Sequence, residues 1–101
     1  MAVLMIAKFH GDPEALKIAY DKADGQLASK LGTRMPPGSL HHVSAVAPDG
    51  LYIVDVWESE ETLQGMLGSP AFTKTLADAG FPGPDQAEIQ VLPVHAVLST
   101  T

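Results

Sequence analysis

The chain contains no cysteine, which rules out a disulfide framework and a thiolate nucleophile and is consistent with a reducing cytoplasm. Basic residues are few. Six Lys and Arg stand against twelve Asp and Glu, for a formal net charge of -6, and the six are scattered along the chain. Nucleic acid and anionic membrane surfaces are therefore not expected partners. No apolar run approaches the ~20 residues of a membrane helix. The opening Met1 to Ala7 lacks a basic n-region and is followed at once by Lys8 and Asp12-Pro13-Glu14, so it reads as a first strand and not as a signal peptide. Charged residues are scarce at 18%, whereas 46% of the 101 residues are hydrophobic. A chain of this length makes one domain, residues 1–101, that buries only ~65% of its unfolded surface. The apolar excess accordingly predicts a partner surface, most simply a homodimer.

The segment from 3 to 9 is apolar on both faces apart from Lys8, the pattern of a central strand. Asp12-Pro13-Glu14 supplies an N-cap, a proline for the first helical position and an acid for the first turn. Leu16, Ala19 or Tyr20, Ala23, Leu27 and Leu31 then recur at helical spacing, with Gly32 as the stop and Gly25 as a point of bend or break. Pro36-Pro37-Gly38 marks a loop. Leu40 to Ala47 and Leu51 to Glu58 flank Pro48-Asp49-Gly50, which is hairpin chemistry. Ser59-Glu60-Glu61 caps a second helix, Ser69-Pro70 restarts it, and Gly80 ends it. Glu88 to Leu98 forms the last strand, and Pro93 places that strand at an edge or on a bulge. The order β-α-β-β-α-β predicts an α+β domain of the ferredoxin-like class, with a four-stranded antiparallel sheet.

One acid breaks the apolar run from Leu51 to Trp57. Strand alternation puts Asp55 on the same face as Ile53 and Trp57, opposite Tyr52, Val54 and Val56. A buried carboxylate needs a donor, and the other arm of the hairpin offers His41 and His42. A three-residue loop brings His41 to the face of Asp55; two or four residues bring His42, the favoured reading. An Asp-His pair beside an indole is either a general base or a satisfied polar cross-link. Adjacent histidines on a strand point to opposite faces, so no metal site is expected from them. His10 and His95 have no motif around them. Nothing in the chain resembles a nucleophile elbow, a phosphate-binding glycine loop or a dinucleotide fingerprint.

Val56-Trp57-Glu58-Ser59-Glu60-Glu61 running from strand into helix, followed by Leu67-Gly68-Ser69-Pro70-Ala71-Phe72, resembles the antibiotic biosynthesis monooxygenase-like family of dimeric α/β barrels. The resemblance implies two subunits packed sheet against sheet, with a small apolar or aromatic ligand held between each sheet and its own helices. It also implies an oxidoreductase that works without a cofactor, as an oxygenase or cyclase on a polyketide-like aromatic. His42, Asp55 and His41 are then the catalytic candidates, and Trp57, Met66, Phe72, Leu76 and Tyr20 the substrate-binding ones. The chain departs from that pattern at two positions: the family's polyketide oxygenases carry an Asn four residues before the strand-end Trp and a Tyr six after it, where this sequence has Ile53 and Leu63. Haem-degrading members need a Trp and a His on the second helix, where Met66 and Leu76 stand, and an Asn on the first strand, which has none. The alternative to an enzyme is a dimeric module that binds a small ligand without transforming it.

Overall fold

Local capping chemistry sets where each element begins and ends in the computed structural model, which describes residues 1–31 and 35–98, Leu31 by its backbone alone. Strand β1 (Val3–His10) leads into helix α1 (Pro13–Leu31), whose first turn is capped by Asp12 Oδ2 accepting from the Ala15 N–H at 2.9 Å. Strands β2 (Ser39–Ala47) and β3 (Gly50–Trp57) form the hairpin; helices α2 (Glu60–Leu67) and α3 (Pro70–Ala79) follow, and β4 (Glu88–Pro93) closes the sheet. Ser59 accepts from Thr62 N–H at 3.1 Å to start α2, and Ser69 accepts from Phe72 N–H at 3.4 Å to start α3. Gly80, at φ 79°, turns the chain out of α3 in the left-handed conformation that glycine takes without strain.

Antiparallel pairing gives the strand order β2-β3-β1-β4, with β1 and β3 central as the split βαβ pattern requires. The expected ferredoxin-like α+β class therefore holds, with its second helix broken in two at Gly68-Ser69. Two expectations need correction. Helix α1 runs unbroken through Gly25, because that position is exposed and the loss is one of propensity, ~1 kcal/mol, which the flanking turns absorb. The last strand stops at Pro93 and not at Leu98, since proline has no N–H to continue the ladder; the next N–H, of Val94, closes it on Ala2 O at 3.0 Å. A short 3₁₀ turn, Pro84–Gln86, precedes β4. The Gly32 stop lies outside the described residues.

All the helices lie on one face of the sheet. Val3, Met5, Ala7 and Phe9 of β1 and Leu51 and Trp57 of β3 point to that side and are buried against Leu16, Ala23, Leu63 and Leu76. Trp57 is 1% exposed, and sequestering an indole of that size is worth roughly 3 kcal/mol. The opposite face carries Leu4, Ile6, Val43, Val54 and Val56, partly or largely exposed in the subunit. At one end of this outer face Lys8 lies 2.8 Å from Asp49 Oδ1, with its ammonium 4.3 Å from the centre of the Tyr52 ring.

Candidate functional site

The hairpin turn decides which histidine reaches Asp55. Pro48 and Asp49 alone separate the strands, so Ala47 pairs with Gly50 and, counting back, His42 pairs with Asp55. Gly50 is required at that turn: a Cβ there would fall 2.0 Å from the Phe9 carbonyl oxygen. His41 pairs with Val56 and lies on the outer face, so the structure does not bring it to Asp55. Beyond it, between Ser39 and His41, the register shifts by a bulge.

Asp55 is buried among apolar side chains and holds two partners. Trp57 Nε1–H donates to Oδ2 at 3.2 Å. His42 Nδ1 stands 2.7 Å from Oδ1, the imidazole 32% exposed and the carboxylate 4%. That contact is an ion pair by distance without the alignment of a directed hydrogen bond, and Oδ1 has no other partner among the described residues. On the far side of the ring, His42 Nε2 lies 2.5 Å from the Tyr20 hydroxyl, and the two rings stack with their planes 17° apart. A carboxylate oxygen can only accept, so the contact with Asp55 favours the tautomer that carries its proton on Nδ1. In that tautomer Nε2 is the acceptor and Tyr20 O–H the donor.

These groups stand at the polar end of a cavity of about 100 Å3. Trp57, Met66, Phe72, Leu76 and Tyr20, the predicted ligand-binding residues, all line it, as do His42 and Asp55. Met5, Phe9, Ile53 and Phe81 complete much of its apolar wall. Three polar features were missed from sequence. Asp24 and Ser39 line the cavity, and Tyr20, expected only as lining, bonds to the candidate base through its hydroxyl. A signal for the first existed: Tyr20, Ala23, Asp24 and Leu27 share one face of α1 at helical spacing. Leu63 is completely buried in the core and does not line the cavity. His10 forms an exposed pair with Glu88 at 3.2 Å, and His95 is exposed beyond β4. Among the described residues no cluster of three or more His, Cys, Asp or Glu could hold a metal ion, and no helix is long and apolar enough to cross a membrane.

No protein-family model matches the sequence, and no curated protein is similar to it in sequence. Solved structures do resemble it in fold. The cofactor-independent oxygenase SnoaB from Streptomyces nogalater superposes with a TM-score of 0.65 over 96% of both chains at 17% identity. Rv0793 from Mycobacterium tuberculosis gives 0.68 over 98% of this chain and 100% of its own, at 20% identity. An antibiotic biosynthesis monooxygenase, so described on putative grounds, from Chloroflexus aurantiacus gives 0.58 over 96% and 97%, at 22% identity. The chain thus has the fold of the antibiotic biosynthesis monooxygenase-like proteins.

Proposed function

We propose that this chain is a small enzyme that takes a proton from an acidic C–H or O–H of a small aromatic or polyketide-like substrate, as a cofactor-independent oxygenase or a cyclase. The observation that carries the reading is the His42–Asp55 pair, 2.7 Å apart, at the polar end of an otherwise apolar cavity. Asp55 fixes the imidazole tautomer and stabilises the imidazolium formed when the ring takes up a proton. The apolar walls hold the substrate ring, with Trp57 beneath it, and keep water from the resulting anion. A substrate that forms a stabilised carbanion then reacts with dioxygen itself, or closes on its own carbonyl. The fold shared with a cofactor-independent oxygenase agrees with this reading.

Hydrogen–deuterium exchange at the activated C–H of a cyclic 1,3-diketone tests it. Wild type should accelerate exchange, and Asp55→Ala and His42→Ala should each lower the rate ~10²-fold or more while folding as wild type does. Folded variants that exchange as fast as wild type would sink the mechanism. Oxygen uptake accompanying exchange separates an oxygenase from a cyclase. A second reading, a module that binds such a ligand without reacting, is favoured by Ile53 and Leu63, apolar where the family's polyketide oxygenases are polar; its signature is ligand binding without exchange. Haem breakdown is not part of either reading, because Met66 and Leu76, both in the cavity wall, offer no imidazole for iron.

In the same proposal the apolar outer face pairs with that of a second copy, giving a dimeric α/β barrel. Sedimentation should return about twice the 10.6 kDa of the chain, and a monomer at micromolar concentration would exclude it.

A further inference from the structure

Both ring nitrogens of His42 are engaged, Nδ1 by Asp55 at 2.7 Å and Nε2 by the Tyr20 hydroxyl at 2.5 Å. A base whose accepting nitrogen already receives a proton donor does not meet the substrate first. We infer that Tyr20 is the group that exchanges the proton with substrate, and that His42 and Asp55 stand behind it as a relay. This inference deepens the proposed base chemistry and rests on it.

The bookkeeping of the step follows from the tautomer. Tyr20 Oη forms a bond to the substrate proton as its own proton passes to His42 Nε2. The substrate keeps the electron pair as its anion, and the neutral imidazole becomes an imidazolium held by the Asp55 carboxylate. One pair of opposite charges is created, the substrate anion and the imidazolium, with the imidazolium beside the unchanged Asp55 carboxylate, and no other reactant is needed. A phenolic oxygen that donates a hydrogen bond still has lone pairs with which to accept one, and donation to an imidazole backed by a carboxylate raises its basicity. Location supports the role. Tyr20 comes from α1, across the cavity from β2, and its ring stands edge-on to Phe81, centroids 6.2 Å apart and planes at 65°. That packing holds the hydroxyl on the imidazole, so the relay is assembled before substrate enters.

4-Nitrophenol is a small phenol that reports its own ionisation by colour. Bound to wild type it should titrate to the coloured phenolate at a pH below its value in water. In Tyr20→Phe the bound probe should need a pH at least one unit higher than in wild type to ionise. A ligand-free measurement runs beside it: nitrogen NMR of the histidine rings should show the His42 Nε2 resonance move in Tyr20→Phe and the Nδ1 resonance hold. A bound probe that ionises alike in both proteins overturns the relay and leaves His42 as a direct base. A probe that binds neither protein overturns the cavity reading and the relay with it. An unmoved Nε2 resonance overturns the phenol–imidazole bond on which the inference stands.

Discussion

On the inner face of the sheet Asp55 is 3% exposed and its carboxylate faces an indole N–H and an imidazole, while on the outer face Val43, one residue from His42 on β2, is 58% exposed. One carboxylate is buried in the core while several large apolar side chains stand on the outer face. The inner face tolerates its charge because Trp57 donates to one oxygen and the His42 ring stands beside the other. The outer face makes sense when a second sheet covers it. One hairpin writes both patterns, since a slip of one residue would carry His42 out and Val43 in. The two-residue turn at Pro48 and Asp49, locked by the close approach of Gly50 to the Phe9 carbonyl, prevents that slip.

The contrast breaks hardest at Trp57. Trp57→Ala removes a buried indole and leaves Asp55 Oδ2 without its donor, so the unfolding free energy should fall by about 3–5 kcal/mol, or the protein should not fold at all. Urea denaturation followed by circular dichroism measures this, and a loss below about 1 kcal/mol would show that the inner face is not the core described. Val43→Lys changes the outer face alone. It should alter the stability of the subunit by about 0.5 kcal/mol or less, yet shift the sedimenting mass from that of the proposed dimer toward 10.6 kDa. A dimer that survives the lysine would show that this part of the face is not buried between copies.

How much of this arrangement the sequence discloses differs between the faces. Asp55 is conspicuous as an acid in an apolar strand, and period-two alternation places it beside Trp57. The choice between His41 and His42 turns on the length of one loop, which Pro48-Asp49-Gly50 leaves open between two, three and four residues. The bond from Tyr20 to His42 is not legible, because it spans 22 positions and depends on how far α1 rotates over the sheet. The serine caps of α2 and α3 are legible, being local chemistry. Gly25 misleads for the same reason: local propensity reads a break where packing on both sides sustains the helix.

The smallest expected effect sharpens the contrast at an ion pair of the outer face. The Asp49 carboxyl lies below its ordinary value, chiefly through its hydrogen bond to Lys8, and Lys8 lies above its ordinary value through the same bond. A lowered acid contributes stability above its unfolded value, near 3.8, and loses it as pH falls through the folded one. A raised amine contributes below its unfolded value, near 10.5, and loses it as pH rises through the folded one. Between those limits the contribution of the pair is flat, and it is small because Asp49 is largely solvated. Asp49→Asn should therefore lower the melting temperature slightly and evenly across neutral pH, and flatten part of the decline below pH 3.8. It should also be less sensitive to salt than wild type, since screening acts on an exposed pair. No comparable salt dependence is expected of His42 and Asp55, whose carboxylate is 4% exposed. If added salt destabilised wild type and Asp49→Asn equally, the Lys8–Asp49 pair would contribute nothing to stability, and the contrast with the buried pair of the inner face would be complete.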